Sequence, residues 1–391
     1  MPRDSIILGL PEYQIKKMAG NNPIKIEARY KGPVKCPFCG SADLRTKGRF
    51  IRRLRHESHG LRKCILYLEA RKYRCRVCGR YFNQRFPGIQ PHRRSTEAFR
   101  RQVFVGHLEG ICRKALADRE GIGTATVERW FHDYLKLEDS ERKSEPCPRI
   151  LGIDEHFFTR RLGYATTFCD LKHHKVYDVA LGRSEHSLES YLSGLQGKEH
   201  VQVVCMDLAE TYRSLVRRHF PNARIVADRF HVIRLVNHHF LATWRMIDPV
   251  GPKNRGLLSL MRRHQDNLTP EQNGRLDAYF LQFPAFSAIY AFKQRLCNLL
   301  REKTCQAWKC RKLIPFLLDY IDQLKTCGFE PLAQLGKTIE SWKEEISCMW
   351  RFSKNNGITE GFHNKMEMIS RRAFGFRNFN NYRLRVRTLC A

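Results

Sequence analysis

Two spacings of apolar residues alternate along this chain. Residues 150–158 (Ile-Leu-Gly-Ile-Asp-Glu-His-Phe-Phe) form a short apolar run behind a joint bracketed by Pro146 and Pro148. Such a run, rich in Ile and Phe and bounded by turn residues, reads as a buried strand. It ends on an acid, Asp154. The runs 201–207 and 224–228 repeat the pattern and end on Asp207 and Asp228. Residues 164–171 and 175–182 read as two further strands joined by short polar connections, so that the first three strands make a meander. Residues 187–195 and 210–220 carry helical spacing and cross to the strands that follow.

Beyond residue 246 the strand period disappears. Helices are expected at 257–267, 270–282, 285–304, 307–325 and 330–350, with breaks at Pro270, Pro284 and Gly328. Trp308, Phe316 and Trp342 offer this all-helical segment a small core of its own. A last helix is expected from near Ile358 towards Arg372, with Asn364 one turn and Glu367 about two turns below Glu360. Periodicity alone does not choose between Glu360 and Glu367.

Upstream, a helical pattern begins near Ser95 with Phe99, Val103 and Leu108 on one face. In residues 114–130 a short helix ends at Gly121, Ile122 plugs the core, Thr124 caps a second helix, and Val127 with Phe131 points back inward. That is the register of a helix-turn-helix, in which Thr124, Ala125, Thr126 and Arg129 face DNA. A purely structural pair of helices joined by a glycine turn is the alternative. Earlier still, Cys36-Pro-Phe-Cys39-Gly and Cys75-Arg-Val-Cys78-Gly each form a tight knuckle that aims two thiolates at one point. Together Cys36, Cys39, Cys75 and Cys78 complete a tetrahedral Zn²⁺ shell, which reads as a zinc ribbon with a long hairpin between its knuckles. His56, His59 and Cys64 lie in that connection and read as buried or surface groups. The mixed leader before Cys36 receives no element.

Charge narrows the partners. At 391 residues the chain is long enough for two to four domains, and its 42% hydrophobic content supports packed cores. The formal net charge of +31 calls for a polyanion, and nucleic acid is the best candidate. Residues 45–80 hold thirteen Lys/Arg against two Glu, interleaved with Phe50, Leu54, Leu66, Tyr67 and Tyr73. Such strands present a basic outer face to a DNA backbone. No apolar run approaches the length of a membrane span, and the N-terminus is too short and mixed for a secretory signal. A reducing cytoplasm is therefore expected, with no membrane partner and with cysteines as thiols unless they hold metal.

Meander, helix, strand, helix, strand is the element order of ribonuclease-H-like folds, in which the first strand lies beside the fourth and would bring Asp154 to Asp207. Gathered carboxylates favour a hard divalent cation. Four motifs sharpen this reading: Gly152-Ile-Asp154-Glu-His, Met206-Asp207-Leu-Ala-Glu-Thr-Tyr, Ala227-Asp228-Arg-Phe-His231-Val and Asn356-Gly-Ile-Thr-Glu360-Gly-Phe-His-Asn364-Lys. With the cysteine knuckles and the closing Gly375-Phe-Arg-Asn-Phe-Asn-Asn-Tyr-Arg-Leu-Arg, the chain resembles, in order and over nearly its whole length, the ISL3 family of bacterial insertion-sequence transposases.

The resemblance implies a DDE triad at Asp154, Asp207 and Glu360 that binds Mg²⁺ or Mn²⁺. It further implies strand cleavage at terminal inverted repeats and joining of the 3′-hydroxyl ends to target DNA by two-metal phosphoryl transfer, in a bacterial, nucleoid-associated enzyme. Asp228 and His231 resemble an acidic-x-x-His element that supports such sites, and Asn364 belongs to the Glu360 motif. For Asp228 and His231, a helix N-cap and a core histidine remain the other reading. Arg371, Arg372 and Arg377, in a tail with seven basic residues from Lys365 on, suit backbone contact.

The expected architecture is multidomain α+β: zinc ribbon (1–90), helix-turn-helix (91–145), and an α/β ribonuclease-H-like core (146–245 and 346–391) interrupted by an all-helical insertion (246–345). Double-stranded DNA is the expected partner, and pairing two ends suggests a homodimer or larger assembly. A DNA-binding regulator without catalysis, or a nuclease without strand transfer, are the rival functions.

Overall fold

The computed structural model describes residues 8–10, 12–142, 145–352 and 357–390. The chain divides into two compact units, Met1–Glu141 with Arg372–Gly375, and Arg142–Arg371 with Phe376–Ala391. Each is built around its own sheet. Asn356, quoted above in the Glu360 motif, lies outside the described residues. Among the described residues, no helix is long and apolar enough to cross a membrane.

In the first unit, β1 (Tyr13–Ala19), β2 (Ile24–Tyr30), β3 (Leu44–His59), β4 (Arg62–Cys75) and β5 (Tyr81–Asn83) form one sheet in the order β1-β2-β4-β3, with β5 on β4. The long antiparallel β3–β4 hairpin is the connection expected between the knuckles. The leader, left without an element by sequence reasoning, supplies β1 and β2, and β2 pairs parallel to β4. Ile24, Ile26 and Ala28 alternate inward along β2 and meet Leu54, Leu66 and Leu68. This period-2 pattern is present in the sequence but short, and the intervening charges mask it. His56 is buried, with its Nδ1 3.0 Å from Thr96 Oγ1, and Cys64 is core.

Three helices follow: α1 (Glu97–Leu108), α2 (Arg113–Glu120) and α3 (Thr124–Arg142). Thr96 caps α1 by accepting from Phe99 N–H, one residue later than Ser95. Gly121 closes α2 in the left-handed region (φ 67°), which a β-carbon would disfavour. Ile122 packs with Phe99, Leu116, Val127 and Trp130 in a shared core. Thr124, Ala125 and Arg129 are exposed and Thr126 is half-buried, so the first turns of α3 present a polar face to solvent.

The second unit is built on β6 (Ile150–Thr159), β7 (Gly163–Asp170), β8 (Lys175–Leu181), β9 (Val203–Met206) and β10 (Arg224–Ala227) in the order β10-β9-β6-β7-β8. The meander β6-β7-β8 is antiparallel, and β9 pairs parallel to both β6 and β10. Between β8 and β9 lies α4 (Glu185–Ser193), and between β9 and β10 lies α5 (Glu210–His219).

From β10 onward the chain is helical: α6 (Arg229–Ile247), α7 (Arg255–Arg262), α8 (Pro270–Gln282), α9 (Pro284–Arg301), α10 (Ala307–Thr326), α11 (Glu330–Ser341), α12 (Lys343–Arg351), α13 (Gly357–Arg372) and α14 (Phe379–Leu389). One helix was expected over 330–350, but the chain breaks at Trp342. There the buried indole lies 3.5 Å from the Arg213 guanidinium, and Arg213 also bonds Glu345 and the Ser341 carbonyl. Such a planar cation matches the carboxylate and carbonyl at once, which fixes the kink.

Trp308 and Phe316, expected inside a core, are 56% and 59% exposed. The helical segment instead divides its apolar residues between two places. Leu296, Leu317, Ile321, Leu335, Ile346 and Trp350 join Leu151, Phe168, Val204 and Met206 in the core on one face of the sheet. Phe240, Trp244, Leu260 and Phe286 form a second, smaller core. Each fully buried large side chain contributes roughly 1.5–3 kcal/mol relative to exposure. Helix α12 lies directly against β10, and α9–α11 share its core. The opposite face of the sheet is covered by Met366, Ile369, Tyr382 and Val386 of α13 and α14.

Candidate carboxylate metal centre

Asp154 is placed differently from expectation. It lies in the middle of β6, opposite Thr167 of β7, because β6 outruns its short parallel neighbour. Pairing with β9 stops at Gly152, so Asp154 stands just past the end of β9 while remaining within its own strand. Asp207 and Asp228 do follow strand ends: β10 pairs with β9 up to Ala227 opposite Met206, and the next residue on each strand is the acid.

Asp154, Asp207 and His231 each offer a ligand atom within 4.8 Å of the others. His231 Nδ1 lies 3.1 Å from Asp207 Oδ2, and its Nε2 lies 3.7 Å from Asp228 Oδ2. His231 is thus a half-buried bridge between two carboxylates rather than a core histidine. Asp228 occupies the N-cap position of α6, yet its side chain makes no capping hydrogen bond.

Crowding shows in the protonation equilibria. Burial raises Asp154 from 3.8 to about 6, and the charges of Asp228, Glu155 and Glu360 add to it, against a hydrogen bond from the Glu155 N–H. Burial and the charges of Asp154 and Asp228 raise Asp207 to about 8. Burial pushes His231 down from its ordinary value. Asp207 Oδ1 is buried without a hydrogen-bond partner. Like-charged, desolvated acids with an unsatisfied oxygen are short of positive charge, which a hard divalent cation would supply.

Glu360 sits in the first turn of α13, exposed, as does Asn364 one turn on. Glu360 is not part of the cluster within 4.8 Å, but its charge acts on both Asp154 and His231. Glu367 is engaged elsewhere, in an exposed pair with Arg371 at 2.6 Å. Arg372 and Arg377 are also exposed.

Sequence reasoning passed over the residue that ties α13 to the cluster. His363 shares a face with Glu360 at i+3, and its Nδ1 lies 3.8 Å from Asp154 Oδ2. Its Nε2 is 3.1 Å from Thr167 Oγ1, which in turn is 3.0 Å from His156 Nδ1. Tyr382 hydroxyl closes the chain at 2.8 Å from His156 Nε2. Burial lowers His363 to about 4 and His156 to about 3, so both rings are neutral. The histidines were visible inside the quoted motifs, but only the β6–β7 register shows that Thr167 joins them.

The second candidate centre is in the first unit. Cys36, Cys39, Cys75 and Cys78 bring their sulfurs within 4.8 Å of one another, with Cys36–Cys78 and Cys39–Cys75 each at 3.6 Å. Four thiolates at Zn–S of 2.3 Å in a tetrahedron stand about 3.8 Å apart. The residues fit a structural zinc.

Comparison with known proteins bears on both centres. A family model for DDE transposases of the ISL3 type, described as "Transposase", matches residues 151–386. The chain belongs to the ISL3 transposase family. The zinc finger of the transposases of IS204, IS1001, IS1096 and IS1165 matches residues 32–78, and the helix-turn-helix domain of the ISL3 transposases matches 84–135. The transposase of insertion sequence IS1001 from Bordetella parapertussis is 24% identical over 368 residues, covering 90% of this chain and 87% of that protein. The transposase of IS1557 from Mycobacterium tuberculosis is 22% identical over 378 residues, covering 88% and 83%. The protein is therefore a DDE transposase with a DNA-binding N-terminal part made of a zinc ribbon and a helix-turn-helix. The family implies a divalent metal at the acidic site, which agrees with the charge deficit there.

Proposed function

We propose that Asp154, Asp207 and Glu360 are the catalytic carboxylates of this transposase and hold Mg²⁺, or Mn²⁺ in its place. The buried Asp154–Asp207 pair, with its raised pKa values and unsatisfied Asp207 oxygen, carries this reading. Bound there, the cation neutralises the acids and lends Lewis-acid assistance to in-line displacement at a phosphodiester. Asp154 and Asp207 supply the fixed oxygens from β6 and the end of β9. Glu360 supplies the third from a helix, with a positioning role for Asn364 beside it. His231 holds Asp207 in place, and Asp228 in turn steadies His231. The activity consists of cutting DNA at terminal inverted repeats and joining the 3′-hydroxyl ends to target DNA.

On this reading residues 146–245 and 346–391 form a ribonuclease-H-like core interrupted by the helical segment 246–345, behind DNA-binding domains at 1–90 and 91–145. The parallel pairing of β6 with β9 supports it. Thr124, Ala125, Thr126 and Arg129 read bases from α3, and Arg371, Arg372 and Arg377 grip phosphates. Two copies or more assemble on paired ends. The test is an assay with labelled terminal-repeat DNA, target plasmid and Mg²⁺, run beside Mn²⁺ binding to the same protein. Asp154→Asn, Asp207→Asn and Glu360→Gln should each abolish cleavage and weaken Mn²⁺ binding while terminal-repeat binding persists. Wild-type cleavage in any one removes that residue from the triad. Cleavage without joining reduces the protein to a nuclease.

A further inference from the structure

We propose that the groove between α6 and α7 is a channel for one strand of the DNA substrate, with Phe230 stacking on an unpaired base next to the carboxylate centre. The inference rests on the transposase reading above and gives the helical segment a role in it.

Helix α6 joins the two cores of the second unit. Val232 and Val236 pack against the sheet, while Phe240 and Trp244 belong to the helical core. It is a rigid strut whose first turn holds His231. Along it runs a cavity of about 440 Å³ lined by Phe230, Arg234, Asn237, His238, Arg245 and Arg262 among others, with no acidic residue in its wall. Among the described residues, none of these three arginines forms an ion pair, whereas Arg213, Arg217 and Arg218 on α5 all do. Unpaired guanidiniums in an acid-free groove suit phosphates, which they engage through two parallel N–H groups. Phe230 to Arg245 spans about 22 Å at the helical rise, room for several nucleotides.

Two features tie the groove to the reacting phosphate. Phe230 is 56% exposed and packs edge-on against His231, ring centroids 5.4 Å apart at 78°. A base on the free face of Phe230 would therefore sit one ring away from the bridge that holds Asp207. Arg234, one turn further along, acts by its charge on both Asp207 and His231. Asn237 Oδ1, deeper in the groove, is buried without a hydrogen-bond partner and can accept from a base N–H. A row of cations with one aromatic platform is the composition of single-strand sites, where stacking tolerates any base.

The test uses the full chain and a duplex copied from the DNA that flanks its coding sequence, with 5-iodouracil at the last positions of either strand. Irradiation should crosslink Phe230, mapped by peptide mass spectrometry. Arg245→Glu combined with Arg262→Glu should lower cleavage at least about tenfold even at saturating protein, and by removing two phosphate contacts should weaken end binding and reduce its salt dependence. Phe230→Ala should lose the crosslink and slow cleavage, and Phe230→Trp should restore both. Circular dichroism melting checks that the variants fold. If wild type cleaves while its crosslinks map only to residues 1–141 and the double variant cleaves normally, the channel is wrong. A crosslink at Phe230 without cleavage keeps the channel and sinks the catalytic reading. Neither crosslink nor cleavage overturns both.

Discussion

Among the described residues, the cysteine cluster and the acidic cluster are the two candidate metal centres, and they are built on opposite principles. The four cysteines of the first unit are gathered by local geometry: each pair lies on one turn, and a single hairpin brings the turns together. The acids of the second unit are gathered by topology, Asp154 from the middle of β6 and Asp207 and Asp228 from just past the ends of β9 and β10, with Glu360 of α13 acting on Asp154 by its charge. The thiolates exist to hold the fold, and zinc binding there is folding free energy. The acids are a strain on the fold, since burial and mutual repulsion raise the pKa of both Asp154 and Asp207. One candidate metal centre thus stabilises its unit, and the other costs stability while its acids stand alone.

The largest effect that would separate them is loss of the thiolate site. Structural zinc in small domains contributes on the order of 10 kcal/mol. Cys75→Ser, or a strong zinc chelator, should unfold the first unit and abolish DNA binding, while the sheet of the second unit keeps its protection in hydrogen exchange. Protection lost evenly across both units would break the contrast.

Asp207→Asn should go the other way. It abolishes cleavage yet raises the thermal midpoint of the metal-free protein at pH 8, since it removes a desolvated charge whose repulsion is on the order of a few kcal/mol. A lower midpoint would mean that the aspartate is structural.

The pH dependence follows from the same shifts. In the folded state Asp154 titrates at about 6 and Asp207 at about 8, both above the ordinary 3.8. Their stabilising contribution is therefore full below about pH 4 and is lost as the pH rises through 6 and then 8. Differential scanning calorimetry without metal should show the midpoint falling over this window, and saturating Mg²⁺ should flatten the fall. A midpoint that rises across the window would contradict the burial account.

The smallest effect concerns position rather than charge. His363→Ala should slow cleavage about tenfold by loosening α13, with only about 1 kcal/mol lost from stability. His363→Gln, which keeps a donor and an acceptor, should recover part of the rate. Equal rates for wild type and His363→Ala would show that the His363–Thr167–His156–Tyr382 chain does not position the helix.

The contrast also explains what could be read from the sequence. Knuckle spacing, the Gly121 turn and the β6-β7-β8 meander are local patterns, and the structure follows them closely. The helix carrying Glu360 begins within one residue of its expected start. The misses come where partners are distant. The strand β2 owes its place to pairing with β4, and β1 to pairing with β2; Trp308 and Phe316 lie on the outer face of α10, whose inner face packs on α11 and α12; and the break at Trp342 depends on Arg213 from α5. Asp154 looked like a strand end because its apolar run stopped there. The strand itself continues to Thr159, held by β7 alone. His363 stood in plain view between Glu360 and Asn364, but its role needs Thr167 and Asp154 from another part of the chain.

The central claim is that acids far apart in the chain meet at one divalent-metal site. Fe²⁺ in place of Mg²⁺, with ascorbate and peroxide, cuts the polypeptide next to the groups that bind it, and the fragments can be sequenced. The account predicts cuts beside Asp154, Asp207 and Glu360, all suppressed by excess Mg²⁺ and all lost in Asp207→Asn. Cuts near Asp154 and Asp207 alone, with none on α13, would contradict it.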